Sequence, residues 1–297
     1  MPSLKEIRTR IASVQSTRKI TSAMKMVAAS RLRRVQNDIV HLRKYAWQLK
    51  KILDEVMDHV PVAGQGPFMK ERDTGEVLII ALGSNKGLCG TYNAFLIRHC
   101  LKELRRLRQE GHRAVIMPVG QKLWHFFSRR EDTECLSVDH HIMERVGHGA
   151  ATELAELVMD IHLRRNFSRV LMVYNRFKNA VVHQLTTEQV LPVPREEMIF
   201  DEEAIVDPMD DMPVILEPDQ EAVVEYMTRK FIRYNVYRIL LDASASEHGS
   251  RMTAMHKATD NAEEILKSLK LSYNKARQAA VTRELMDIVG GAGRTGS

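Results

Sequence analysis

The chain is poor in the residues that most enzymes and secreted scaffolds rely on. Its 297 residues include only three cysteines, Cys89, Cys100 and Cys135. They form no CxxC pair and no zinc-like His/Cys cluster, which excludes a disulfide framework and suggests idle thiols in a reducing compartment. No window approaches about eighteen consecutive apolar residues, so no segment reads as a bilayer-spanning helix and no direct bilayer insertion is expected. Aromatics make up 6% of the chain and are absent from residues 1–44, where a nucleic-acid grip would interleave them with basic side chains. The twelve histidines show no metal-ligand spacing. Residues 3–60 contain neither Pro nor Gly, so a helix of roughly 80 Å could run there unbroken.

What fills that stretch is a heptad pattern. Counting a from Leu4, the a positions are Leu4, Ile11, Arg18, Lys25, Leu32, Ile39, Ala46 and Leu53. The d positions are Ile7, Val14, Thr21, Ala28, Val35, Leu42, Leu49 and Val56. A repeat of 3.5 residues makes a coiled-coil seam, and the last seventy or so residues supply a second helix with apolar rungs at Met252, Met255, Ala262, Leu266, Leu269, Tyr273, Ala276 and Ala280. Arg18, Thr21 and Lys25 break the first seam. Two readings stand: the register shifts so that Ile20, Met24 and Val27 take over, or this stretch faces something other than its coiled-coil partner. Gly249 and Ser250 place a second weak point, in the last helix.

Charge is unevenly distributed around the net +6. Residues 1–51 carry thirteen Lys or Arg against only Glu6 and Asp38, while residues 196–219 carry ten acids among several prolines. The first is a positive rod and the second an irregular acidic connection. A positive rod fits a solvated face, a nucleic-acid grip or a partner with an acidic surface.

Between the helices the period changes. Short apolar strands are predicted at 77–82, 113–119 and 170–176, with 181–191 as the return strand of a hairpin. Helices are predicted at 92–108, 121–127 and 150–163, which together suggest a mostly parallel, Rossmann-like sheet with crossovers. The domain organisation is therefore an N-terminal coiled-coil helix (1–60), a Gly/Pro linker (61–75), a central α/β domain (76–192), an acidic Pro-rich connection (193–218) and a C-terminal coiled-coil helix (219–290). The loop GSNKGLCG at 83–90 follows a strand, as phosphate loops do. Its Lys86 precedes Gly87, however, and no Ser or Thr follows, so neither GxxxxGK[ST] nor GxGxxG is present; a tight turn at an interface built on Lys86, Gly87, Cys89 and Gly90 fits better. There is no nucleophile elbow and no paired-carboxylate signature. Catalytic, cofactor-binding and metal residues are accordingly expected to be none.

Three stretches carry a family resemblance: SLKEIRTRIASVQSTRKITSAMKMVAASRLRRVQ at 3–36, GSNKGLCGTYN at 83–93, and SEHGSRMTAMHKATDNAEEILKSLKLSYNKARQAAVTRELMDIVGGA at 246–292. They resemble the corresponding parts of gamma subunits of F-type ATP synthases. The resemblance implies a rotor shaft: the end helices wind as an antiparallel left-handed coiled coil inside a hexamer of alpha and beta subunits, with the α/β domain on the epsilon subunit and the membrane c-subunit ring. The chain would transmit torque between ion flow and ATP synthesis or hydrolysis and catalyse nothing itself. By the same resemblance Met24 lies beside the acidic lever of a beta subunit. Arg277, Gln278, Thr282 and Glu284 meet a beta-subunit loop, with Arg251 in a supporting polar contact. Arg18, Lys19 and Lys25 would add an electrostatic contact. The absence of the paired-cysteine insertion typical of chloroplast members, and of room for a presequence, implies a bacterial peripheral subunit on the cytoplasmic face of the plasma membrane, with no nucleic acid bound. The competing function is a basic coiled-coil adaptor binding nucleic acid or another acidic partner.

Overall fold

The computed structural model describes residues 3–58, 66–70, 72, 75–179, 183–193 and 219–292; part of the 61–75 linker and nearly all of the acidic connection lie outside them. Helix α1 (Leu4–Asp58) begins with a reciprocal cap. The Glu6 amide donates to Ser3 Oγ at 3.3 Å and the Ser3 amide to Glu6 Oε2 at 3.0 Å, so two donors that the first turn leaves free are satisfied. The other elements follow in the order β1 (Val77–Leu82), α2 (Tyr92–Gln109), β2 (Ala114–Val119), α3 (Gln121–Phe127), a 3-10 turn (His140–Met143), α4 (His148–Arg164), β3 (Arg169–Phe177), β4 (His183–Leu191) and α5 (Gln220–Ala292). The chain divides into two compact units, residues 1–28 with 252–297, and residues 29–251.

In the smaller unit the two helices run antiparallel, since cross-contacts pair Arg18 with Glu263, Thr21 with Thr259 and Lys25 with His256. These pairs decide against the register shift. Ile20 and Val27 are 60% and 54% exposed while Thr21 is buried, so the register does not shift, and Arg18, Thr21 and Lys25 face the partner helix itself. That helix answers polar with polar: the two threonine hydroxyls lie 2.9 Å apart, Lys25 Nζ is 3.4 Å from His256 Nδ1, and Arg18 reaches Glu263 at 3.9 Å. Thr259 continues the alternating three- and four-residue spacing of the C-terminal rungs. Of those rungs Met255, Ala262 and Leu266 are buried and the others partly covered.

In the larger unit four strands form one sheet in the order β2-β1-β3-β4. β1 is parallel to β2 and β3, and only β4 is antiparallel, paired with β3. VLIIAL in β1 is buried at every position because helices cover both faces, as an apolar run without alternation predicts. Val77, Ile79 and Ala81 pack with α2 and α3, whereas Leu78, Ile80 and Leu82 pack with α4 and with the 231–243 stretch of α5. Helix α4 starts two residues earlier than the sequence pattern places it, after the extended Gly147. The 3-10 turn and a parallel bridge between Ile116 and Cys135 carry no periodic signal and were not expected. Helix α5 runs through Gly249 and Ser250 without a break, which corrects the expected weak point: an i→i−4 ladder tolerates one Gly at about 1 kcal/mol.

His162 on α4 is fully buried, and neither ring nitrogen meets a partner among the described residues. Burial, and then the nearby Arg72, push its pKa down to about 4 from 6.5, so the folded chain holds it neutral. A depressed histidine contributes stability that is complete above the unfolded pKa and is lost as pH falls through the folded one. Chemical denaturation midpoints should therefore decline between pH 6.5 and about 4, and His162→Leu should shallow that decline. A slope unchanged in the variant would assign it to other groups.

Candidate functional site

The turn at 83–90 is built by side chains from three directions. Ser84 N–H donates to Asn93 Oδ1 at 3.1 Å, Asn93 Nδ2 donates to Ser84 Oγ at 2.7 Å, and Asn85 joins His140 O to the Gln121 amide at 2.7 and 2.9 Å. These bonds consume donors that a phosphate would need. The loop offers acceptors instead: Lys86 O receives the Arg251 guanidinium at 3.0 Å and Gly87 O receives it at 3.3 Å. Arg251 also pairs with Glu247 at 2.7 Å, both side chains being about one-tenth exposed. Burial raises the Glu247 pKa against the opposing pull of Arg251 and Arg31, while burial followed by the same two arginines lowers His248 to about 4. The turn is thus a cation cradle locked to α5. Within it Lys86 and Gly90 are exposed and Gly87 half-buried. The Cys89 thiol is buried, 3.3 Å from Asn93 Nδ2, and Leu88, which the pattern reading passed over, stands 61% exposed at φ 62°.

Beside this turn lies a cleft of about 660 Å³ in which Arg31 and Arg34 of α1, Lys86, Arg145 and Arg251 outnumber Asp38, Glu144 and Glu247. Arg31, Arg34 and Arg145 make no ion pair with a described residue. An acidic surface would find complementary charge there. Among the described residues no group of three or more His, Cys, Asp or Glu is placed to hold a metal, and no helix is long and apolar enough to cross a membrane.

The remaining sequence-predicted residues belong to the smaller unit. Met24, Arg18 and Lys25 are half-buried along the seam and Lys19 is exposed. Arg277, Gln278, Thr282 and Glu284 are all exposed; among them Thr282 Oγ1 donates to Gln278 O at 2.9 Å. Both helices also carry large apolar side chains outside the seam, with Ile20, Met26, Leu271, Leu285 and Met286 57% to 70% exposed. A narrow two-helix seam leaves apolar residues uncovered that a free-standing coiled coil would replace with charge.

The two units, an antiparallel helix pair with a half-polar seam and a sheet domain covered on both faces, define a coiled-coil α/β protein. The chain belongs to the ATP synthase family, whose model matches residues 3–293. It is 37% identical over 295 residues to the ATP synthase gamma chain of Cytophaga hutchinsonii, covering 98% of each. It is 34% identical to that of Chlorobaculum parvum and 36% to that of Geotalea uraniireducens, at the same coverage. Among solved structures it resembles a chain of the Tetrahymena thermophila mitochondrial ATP synthase central stalk and c-ring, with a TM-score of 0.56 and 26% identity over 80% of this chain and 99% of that one. A chain of the Euglena gracilis mitochondrial enzyme shares the fold, with a TM-score of 0.63 at 17% identity over 98% of this chain and 94% of that one.

Proposed function

We propose that this chain is the rotor shaft of an F-type ATP synthase, transmitting torque between the ion-driven membrane ring and the catalytic alpha/beta hexamer. The carrying observation is the gamma-chain relatedness over almost the whole length of both partners. It disfavours the nucleic-acid adaptor, which would not need the central sheet domain and both end signatures together. The chain supplies no catalytic site of its own. Helices 1–60 and 219–290 form the shaft, 76–192 the head, and 193–218 the connection between them.

The exposed apolar residues of the smaller unit support enclosure in a sleeve of alpha and beta subunits, where loose apolar contact and exposed charge allow turning. Met24, Arg277, Gln278, Thr282 and Glu284 are proposed to touch beta subunits. Arg251 supports them indirectly, by holding the turn at Lys86, Gly87, Cys89 and Gly90. The basic cleft then suits an acidic beta-subunit element, and the head suits the epsilon subunit and the c-ring. Bacterial relatives support a peripheral subunit of a membrane-associated complex, and the proposed location is the cytoplasmic face of the plasma membrane.

Exposed pairs contribute about 0–1 kcal/mol each, so charge reversal should impair assembly or torque before folding. Reversing Arg18, Lys19 and Lys25 to Glu should lower ATP-driven ion pumping several-fold in membranes. Loss of the Arg18–Glu263 contact alone is too weak to account for that. Unchanged hydrolysis and pumping in the triple variant would remove the electrostatic reading. Affinity purification of the tagged chain from its native membranes should bring down alpha and beta subunits with ATPase activity, and a lone chain or one carrying nucleic acid would overturn the proposal.

A further inference from the structure

The stretch of α5 facing the sheet is almost wholly apolar, with Ile232, Val236, Ile239, Leu240 and Ala243 all fully buried. In their midst stands Arg238, whose side chain is 19% exposed. Its guanidinium donates to Glu188 Oε1 on β4, to Asn235 Oδ1 at 2.6 Å and to the Tyr174 hydroxyl on β3 at 3.4 Å, with Asp242 at 3.9 Å. The second Glu188 oxygen accepts from the Tyr174 hydroxyl at 2.7 Å. Both carboxylate oxygens are therefore held, one from the helix and one from the neighbouring strand.

Such a group is a poor way to gain stability, because the desolvation of a buried ion pair often offsets its attraction and an apolar replacement of similar size serves as well. What it adds is direction. Apolar burial scales with area and has little angular preference, so a helix packed on a sheet by Ile and Leu alone resists separation far better than it resists rolling about its own axis. A guanidinium bonded to a fixed carboxylate defines the azimuth of the helix. Further polar ties of this segment reach other elements: Arg233 pairs with Glu156 on α4 at 2.5 Å, Tyr234 donates to Leu42 O on α1 at 3.0 Å, and Tyr92 of α2 donates to Ala243 O at 3.2 Å. Arg238 bonds side chains of two sheet strands directly, Glu188 on β4 and Tyr174 on β3.

We infer that Arg238, through Glu188 and Tyr174, is a torsional key: a positioning residue that fixes the rotation of α5 against the sheet, so that torque passes between them without slip. This rests on the rotor reading, in which α5 carries load and its angle relative to the sheet domain matters.

The test uses the complete ATP synthase, with Arg238→Met, Glu188→Gln and the double variant Arg238→Met/Glu188→Met. Three quantities are read: ATP hydrolysis, ions pumped per ATP, and the torsional stiffness of the central stalk from angular fluctuations of a bead on the membrane ring with the hexamer fixed. The double variant replaces the pair by apolar groups and so guards against loss of folding. Its thermal midpoint in the complex should stay near the wild type while stiffness falls by about twofold or more and pumping per ATP drops, with hydrolysis retained. Stiffness and pumping per ATP equal to wild type in a folded, assembled double variant would overturn the key and reduce the network to packing. Failure of the wild-type complex to turn the bead with ATP would overturn the rotor reading itself, which is a separate outcome.

Discussion

Arg251→Ala is expected to destabilise the larger unit by about 3–5 kcal/mol near pH 8, since it leaves a buried carboxylate without its counter-charge. Glu247 is only about 9% exposed and its pKa is already raised by burial. Without the guanidinium at 2.7 Å, that pKa rises further. A carboxylate whose folded pKa exceeds its unfolded value costs nothing below the unfolded pKa, and the full penalty appears once pH has risen through the folded one. The deficit of the variant should therefore shrink as pH is lowered toward 4.5. The loop also loses the donor held by Lys86 O and Gly87 O, so amide exchange over 84–90 should accelerate. In a double-mutant cycle, Arg251→Met with Glu247→Gln should recover most of the loss, because neither charge is then buried alone. Denaturation midpoints measured across this pH range decide it; a deficit independent of pH would assign the effect to lost packing.

Gly120→Ala is the other large effect. Gly120 sits between β2 and α3 with φ +114°, and a Cβ there would lie 2.5 Å from Gly83 O and 2.7 Å from Gly83 C. Both atoms belong to a strand end tied down by the Gly83 amide bond to Val119 O at 2.8 Å, so the backbone has no cheap way to yield. Strained dihedral and overlap together should cost about 3–5 kcal/mol. Gly83→Ala is the internal control: the atoms nearest its Cβ all belong to the Leu123 side chain, closest at 2.2 Å, which can change rotamer, and about 1–3 kcal/mol should suffice. Equal unfolding midpoints for the two variants would show that the β1 and β2 ends are more pliable than this close approach implies.

The two glycines also mark how far sequence pattern reached. Val77–Leu82 and Gln121–Phe127 fall where the apolar run and the helical period place them, because each is a local pattern covering one or both faces. The close approach of Gly120 to Gly83 has no such signature, since it depends on two strands meeting side by side. Thr259 is intermediate. Its spacing along the last helix was visible, but a hydroxyl reads as a surface residue until Thr21 is found 2.9 Å away. The exposed Leu88 was hidden for the opposite reason, as one apolar residue in a glycine-rich loop says nothing about the side it faces.

Heptad spacing, the charge contrast between residues 1–51 and 196–219, the doubly covered strands and the end signatures together determined the architecture and family of this chain. All of them are short-range or compositional properties that survive in a linear text. The Arg251–Glu247 lock on the 83–90 loop, the Arg238–Glu188–Tyr174 network and the polar rungs across the seam were decided only in three dimensions. Their partners lie four, fifty, sixty-four and more than two hundred residues apart, and whether a charge is paired, buried or exposed is fixed by the packing that brings those distant segments together.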